Sequence, residues 1–252
     1  MLAKYESVCY ELLRPGQVRA LRDAAPIAYV VAGSLEWHGV QNPLGTDALK
    51  ARAICCEAAL AHGGVVLPPF YQGLLGYSNW GPANWGGFTL SFNEGPTLEA
   101  AMLGIVRALV YGGWKVIAGV TGHDVAEQRD AMQRAIDVGI RGSGAVGFAM
   151  MEGELHTPDE TIPYRMDHAG AWETSCMLHA HPDKVSLDAL RAEKLTEAEE
   201  DLKMSGPWGI GGKNPLTHAS AEMGRRIIER MGALIGAKAR AMLDDLRNPP
   251  KP

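Results

Sequence analysis

Cysteine is scarce in this sequence, and none of it follows the spacing of a thiolate zinc site. The 252 residues include four cysteines, Cys9, Cys55, Cys56 and Cys176. The absence of a Cys-x-x-Cys pair argues against zinc held by thiolates. Cys55 and Cys56 are adjacent and therefore poorly placed to pair with each other. We expect free, mostly buried thiols in a cytoplasmic protein.

Positive charge and long apolar segments are scarce as well. The chain has 24 Lys and Arg against 29 Asp and Glu, a net charge of −5, so no overall basic field is available to hold a nucleic-acid backbone. No apolar run approaches the roughly 20 residues that a membrane-spanning helix needs. The first residues lack the basic-then-apolar order of a signal peptide. We expect a protein that binds neither nucleic acid nor membrane.

The residues that are present have the composition of a globular core. The chain is 46% hydrophobic and 21% charged, and we expect one domain over residues 1–252. Apolar runs typical of buried strands alternate with longer helical patterns, which predicts an α/β fold with a mainly parallel sheet covered on both faces. The predicted strands are Ile27–Ala32, Val65–Pro68, Val116–Val120 and Ala145–Met150. The predicted helices are Ala48–His62, Thr97–Tyr111, Ala126–Gly139 and Ala219–Leu246.

Three long stretches fit neither pattern, and long loops in a compact α/β domain are usually functional or disordered. Their aromatic residues favour order here. The irregular stretches are Phe70–Pro96, Glu152–Gly170 and Ser205–Pro215.

The first strand is followed by a segment rich in possible metal ligands. Glu36 and His38 are two residues apart and share one side of an extended backbone. Asp47 follows a Pro-Leu-Gly turn that can fold back toward them. Carboxylates and an imidazole form a usable nitrogen and oxygen ligand set for zinc, manganese or iron. Asp47 could instead cap the following helix.

Two further polar segments complete the pattern. Thr121–Asp124 follows the third predicted strand, so His123 and Asp124 are expected at the carboxyl edge of the sheet, where ligands bind in open α/β folds. His168 and Glu173 lie five residues apart around a predicted helix start.

Together these segments resemble the creatininase family of metal-dependent amidohydrolases. The matching motifs are Gly-Ser-Leu-Glu-Trp-His-Gly with Pro-Leu-Gly-Thr-Asp, then Gly-His, then His-Ala-Gly with Glu-Thr-Ser. A weaker match covers residues 214–224. The resemblance implies a three-layer α/β/α sandwich with a mostly parallel central sheet. It also implies a homo-oligomer, commonly a hexamer, and two divalent metal ions per chain, Zn, Mn or Fe.

The resemblance also implies a role for each ligand. Asp47 would bridge the two metals, Glu36 and His123 would complete one site, and His38 would belong to the other with a further carboxylate. We expect that carboxylate to be Glu173.

The choice of Glu173 departs from creatininase, where the carboxylate lies two residues past the second histidine. That position here is Val125, which cannot ligate a metal. Asp124 and Glu127 are the alternatives to Glu173.

His168 matches the family's acid/base histidine, and we expect it and Glu173 to be catalytic. Substrate contacts are expected from the loop in which relatives often carry a further histidine and from the two aspartates that are adjacent to His123 and His168. These substrate residues are Ser78, Trp80, Asp124 and Asp167.

The resulting hypothesis is a hydrolase for a small-molecule substrate. A metal-activated water would open a C–N bond of a small cyclic amide or formamide, and a histidine would pass a proton to the leaving nitrogen. One alternative is hydrolysis of a ring C–C bond in a cyclic polyol ketone of the inosose type. For such a ring Asp124, Gln41, Asn42 and Asn79 offer hydrogen bonds, and the tryptophans offer stacking. Another is a catalytically inactive scaffold, which Val125 favours.

Overall fold

A four-stranded, wholly parallel sheet forms the centre of the fold in the computed structural model, which describes residues 3–75, 90–92 and 94–248. Its strands are β1 (Ile27–Ala32), β2 (Val65–Val66), β3 (Val116–Thr121) and β4 (Val146–Met151), in the spatial order β2-β1-β3-β4. Every residue of β1 and β3 is buried, as expected where helices cover both faces of a parallel sheet. The predicted sheet is confirmed.

Helices pack on both sides of this sheet. Alternate residues of β1 point to opposite faces. Tyr29 and Val31 pack in one apolar cluster with α2, α5 and α8, whereas Ala28 and Val30 pack in another with α3 and α4. The expected three-layer α/β/α sandwich is therefore confirmed. The helices are α1 (Pro15–Ala24), α2 (Thr46–His62), α3 (Gly95–Tyr111), α4 (Ala126–Gly139), α5 (Ala171–Ala180), α6 (Leu187–Ala192), α7 (Pro215–His218) and α8 (Ala221–Arg247).

A short two-stranded ribbon has its second strand inside the stretch Ser205–Pro215, which the sequence predicted to be irregular. It pairs β5 (Asp201–Leu202) with β6 (Gly212–Lys213) in antiparallel fashion, and α7 begins directly after it. The prediction that Ser205–Pro215 is irregular is therefore wrong at its end. Two-residue strands are too short to show a hydrophobic period.

Two predictions from the opening composition can be compared with the structure. All four cysteines are buried and none forms a disulfide, as expected. Within the described ranges, no helix is long and apolar enough to cross a membrane.

Candidate metal centre

The predicted ligands meet at the carboxyl edge of the central sheet. Strands β1 and β3 are hydrogen-bonded neighbours in register, with Ala32 opposite Thr121, so the segments that follow them leave the sheet side by side. Glu36 and His38 come from the segment after β1, and His123 from the segment after β3. The first turns of α2 and α5 supply the other two carboxylates, and all five side chains are buried.

Asp47 lies between the two histidines. Its Oδ1 is 3.0 Å from His38 Nε2, and its Oδ2 is 3.1 Å from His123 Nδ1. Glu36 Oε1 is also 3.1 Å from His123 Nδ1. The potential ligand atoms of Glu36, Asp47 and His123 all lie within 4.8 Å of one another, which is close enough for one metal ion.

A second group shares the same aspartate. His38 Nε2 lies 3.4 Å from Glu173 Oε2 as well as 3.0 Å from Asp47 Oδ1. His38, Asp47 and Glu173 therefore form a second set of ligand atoms within 4.8 Å of one another. Asp47 thus presents one oxygen to each group, the arrangement of a bridging carboxylate.

The alternative in which Asp47 caps α2 is wrong. Helix α2 begins at Thr46, two residues earlier than predicted, so Asp47 lies inside its first turn. Its Oδ2 accepts a hydrogen bond from the Ser34 amide at 3.2 Å. The carboxylate is therefore held by the segment that follows β1.

Hydrogen bonds outside the ligand groups orient their members. His38 Nδ1 lies 3.1 Å from the Glu36 carbonyl oxygen. Because a carbonyl only accepts, this nitrogen carries the proton, and in the neutral ring Nε2 presents its lone pair to the carboxylates. The Ala169 amide donates to Glu173 Oε2 at 2.6 Å. Such outer bonds fix tautomer and orientation at metal sites.

The electrostatics of the centre favour bound positive charge. Burial lowers the pKa of His38, but the carboxylates of Asp47 and Glu173 outweigh it and raise that pKa to about 9. Burial likewise lowers the pKa of His123, and Glu36 and Asp47 raise it to about 10. Protons and metal ions compete for such nitrogens, because only the neutral imidazole ligates.

His168 lies at the edge of these groups with a defined tautomer. Its Nε2 is 2.8 Å from the Trp37 carbonyl oxygen and therefore donates to it. Its Nδ1 lies 3.7 Å from Glu36 Oε1. Burial and the neighbouring His38 lower the pKa of His168, which favours the neutral ring. The rings of His38 and His168 stack at a centroid distance of 4.7 Å.

A small pocket opens onto the centre. Its volume of about 160 Å³ suits a small molecule. Asp167 lies in its wall and accepts hydrogen bonds from the first amides of α5, Trp172 N at 2.9 Å and Glu173 N at 3.3 Å. Burial and the Glu173 charge raise the pKa of Asp167 to about 8. The lining residues are Glu36, Asp47, His123, Asp124, Asp167, His168, Glu173, Met204 and Gly211.

The three candidates for the carboxylate missing at Val125 occupy different places. Glu127 is exposed and, with Val125, lines a separate cavity. Asp124 is exposed and lines the pocket, but it belongs to no ligand group among the described residues. Glu173 is the candidate that lies in a ligand group.

Two predicted substrate residues, Ser78 and Trp80, lie outside the described residues. The polyol hypothesis assigned Gln41 and Asn42 to the substrate, and in the structure their amide nitrogens bond within the protein. Gln41 Nε2 donates to the Ala169 carbonyl oxygen at 2.7 Å, and Asn42 Nδ2 donates to Thr174 Oγ1 at 3.0 Å. Both side chains are buried and hold the start of α5.

Two charged residues of the centre were not predicted. Lys50 and Glu152 are fully buried, and Lys50 Nζ lies 3.0 Å from Glu152 Oε1 and 2.9 Å from Glu173 Oε1. Lys50 follows Asp47 by one turn of α2, a spacing that places both side chains on one helix face. This spacing is the only sequence signal that could have found Lys50, and it does not distinguish a buried lysine from a solvated one.

Comparison with known proteins places the chain among creatininases. A family model described as creatininase, creatinine amidohydrolase, matches residues 11–237. A creatinine amidohydrolase from Pseudomonas putida is 27% identical over 173 residues, which cover 62% of this chain. The match spans 65% of that relative, less than two thirds of its length.

Solved structures agree with the family match at the level of the fold. A manganese form of creatininase has a TM-score of 0.75 at 23% identity, covering 94% of this chain and 98% of its own. A mutant creatininase of the Zn–Zn type gives the same four values. A mutant creatininase complexed with creatine has a TM-score of 0.74, with 23% identity and coverage of 94% and 98%.

Proposed function

The chain belongs to the creatininase family, and we propose that it is a metal-dependent hydrolase that opens a C–N bond of a small cyclic amide or formamide. The observation that carries this proposal is the pair of buried ligand groups that share Asp47. The name of the curated relative, a creatinine amidohydrolase, supports amide chemistry.

The donor set fits two divalent ions. Each group combines one imidazole nitrogen with carboxylate oxygens, the ligands that zinc, manganese and iron accept. Glu36, Asp47 and His123 would hold one ion, and His38, Asp47 and Glu173 the other. The manganese and Zn–Zn forms of related creatininases favour Mn or Zn over Fe.

His168 supplies a base beside the two ligand groups. When bound, two divalent ions supply an activated water and polarise the carbonyl under attack. The lowered pKa of His168 favours its neutral ring, and its Nδ1 faces Glu36 while Nε2 is held by the Trp37 carbonyl. Nδ1 can therefore take a proton and deliver it to the leaving nitrogen.

The alternatives are less well supported than amide hydrolysis. The polyol-ketone hypothesis relied in part on Gln41 and Asn42, whose amide nitrogens donate to Ala169 and Thr174 at the start of α5 and which are not among the residues that line the pocket. The inactive-scaffold hypothesis relied on Val125, yet Glu173 lies 3.4 Å from His38 and completes a ligand group without it. The small-molecule substrate, cytoplasmic location and hexameric assembly stay predictions.

A substrate screen tests this proposal. The full chain, loaded with Mn²⁺ or Zn²⁺, is assayed on cyclic amides, formamides and inososes. We expect ammonia, amine or a new amino group to appear from the nitrogen compounds and to be absent with Asp47→Asn. Turnover of inososes alone, giving a carboxylate without nitrogen release, would replace amide hydrolysis with C–C hydrolysis. A metal-loaded protein without turnover of any compound would support the scaffold hypothesis.

A further inference from the structure

Lys50 is a fully buried lysine that contacts the proposed metal centre directly. Its Nζ lies 2.9 Å from Glu173 Oε1 and 3.7 Å from Asp47 Oδ1, and it donates a hydrogen bond to the Gly122 carbonyl oxygen. A buried lysine is rare unless it is paired, and this one joins α2 to the segments that carry His123 and Glu173.

Glu152 is a further buried carboxylate that pairs with the Lys50 ammonium. It follows β4 directly and is fully buried, with Oε1 3.0 Å from Lys50 Nζ and 3.3 Å from the Trp172 indole nitrogen. Within the described ranges, its other oxygen has no hydrogen-bond partner. Glu152 belongs to neither ligand group that shares Asp47. Its contacts are therefore those of a counter-charge that holds Lys50 in place.

The contacts divide the two oxygens of Glu173 between different partners. Oε1 faces the Lys50 ammonium, whereas Oε2 accepts from the Ala169 amide and lies 3.4 Å from His38 Nε2. The terminal torsion of a glutamate is soft, so without Lys50 the carboxylate could rotate about its last bond. Lys50 leaves one oxygen of Glu173 for the second metal position.

We propose that Lys50 is a positioning residue for the second metal. It fixes Glu173 as a one-oxygen ligand and, anchored by Glu152, allows this glutamate from α5 to replace the carboxylate that Val125 cannot supply. This inference rests on the proposed metal centre. It concerns the group of His38, Asp47 and Glu173, because Lys50 holds Glu173 at 2.9 Å and Glu173 is not a member of the group of Glu36, Asp47 and His123.

If Lys50 does not position a ligand, Coulomb's law predicts that deleting it raises the affinity for the second metal, whereas deleting a positioning residue lowers this affinity. A buried ammonium close to a divalent ion repels it, so deleting a merely adjacent lysine would strengthen binding of the second metal. Deleting a positioning lysine weakens it, because the ligand is released. The direction of the change therefore separates the two roles without an activity assay.

The variant Lys50→Met/Glu152→Gln removes both charges of the pair, because Lys50→Met alone would leave the Glu152 carboxylate buried without its cation. Metal-free full-length protein is titrated with Mn²⁺ by calorimetry, and bound Mn²⁺ is counted by electron paramagnetic resonance. We expect the first metal to bind as in the wild type and the second to bind about 10- to 100-fold more weakly, the usual effect of losing an outer partner.

Tyr5→Phe is the matched control. It removes the partly buried hydrogen bond of 2.8 Å from Tyr5 to Glu57, toward the other end of α2, and should leave the binding of both metals unchanged. If the pair variant does not fold, Lys50→Gln replaces it and should weaken the second step, since the amide carries no charge to hold Glu173.

Three results would overturn the inference while leaving the metal centre intact. In the first two, the affinity for the second Mn²⁺ is unchanged or higher in the pair variant. In the third, the affinities for both Mn²⁺ ions fall equally while Tyr5→Phe binds both normally. A wild-type chain that binds no divalent ion would instead remove the proposed metal centre, and the role of Lys50 with it.

Discussion

At the scale of single residues, Glu173 decides whether the centre has two complete ligand groups. We predict that Glu173→Gln, which keeps the shape and removes the charge, lowers bound metal toward one per chain and lowers turnover by orders of magnitude. Its Oε2 is 3.4 Å from His38 Nε2 in the second group, whereas the first group does not include it. Elemental analysis of gently purified protein measures this. Retention of two metals would assign Glu173 to the helix start alone.

His168 is predicted to affect catalysis without affecting metal content. His168→Asn removes the base at Nδ1, and loss of a general acid/base group typically costs about 10²- to 10⁴-fold in rate. The two groups that share Asp47 remain whole. The check is kcat measured beside the metal count. Because His168 also lies near Glu36 and His38 in a third possible group, a loss of bound metal would make it a ligand.

The residues differ in how far the sequence could predict them. Glu36, His38 and His123 follow strands that end at the same edge of the sheet, so strand order alone brings them together. Lys50 could not be predicted, because a lysine on a helix is usually solvated, and its burial depends on Glu152 from another strand. The sequence could not predict that Gln41 donates to the Ala169 carbonyl oxygen, because an amide side chain carries no sequence signal of its partner.

At the scale of elements, the long apolar runs were predictable and the short pieces were not. Strand Ile27–Ala32 and helix Ala126–Gly139 have the predicted bounds, because each has a clear period along its length. Helices α1, α6 and α7 were not predicted. The ribbon of β5 and β6 depends on tertiary contacts: Gly211, beside it, exchanges backbone hydrogen bonds with His168. This contact holds Gly211, the residue before β6, in the pocket wall.

Packing between α2 and α8 supports the helix that carries Asp47. A Cβ at Gly232 of α8 would lie 2.6 Å from Glu57 Cβ and 2.9 Å from the Ile54 carbonyl oxygen. We predict that Gly232→Ala lowers the free energy of unfolding by about 1–3 kcal/mol through overpacking. Chemical denaturation of the metal-free protein measures it.

Gly104→Ala on α3 is the control for this prediction. No atom lies within 4 Å of a Cβ at this helical position, so the substitution should raise the free energy of unfolding by about 0.4–1 kcal/mol. Equal effects of the two alanines would contradict the close packing of α2 against α8.

At the scale of the whole molecule, bound metal should stabilise the fold. A ligand that binds only the folded state adds about 2.7 kcal/mol at a free concentration of 100 times its Kd. For 150–250 residues, each 1 kcal/mol corresponds to about 2–4 °C in Tm. We therefore predict that EDTA lowers the Tm of the metal-loaded protein by several degrees, as measured by calorimetry.

Asp47→Asn is the control for the effect of EDTA. Asp47 offers one oxygen to each ligand group, so its loss should abolish both the metal content and the EDTA-induced shift. A similar shift in this variant would mean that the stabilising metal binds elsewhere.

Anomalous X-ray diffraction from crystals soaked in Zn²⁺ is the most direct test of whether Asp47 bridges two metal ions. We predict two anomalous peaks, one on each side of the Asp47 carboxylate: the first at Glu36 and His123 and the second at His38 and Glu173. Ligand distances should be about 2.0–2.2 Å. A single peak, a pair of peaks that do not share Asp47, or a Glu173 carboxylate beyond about 4 Å from both ions would contradict it.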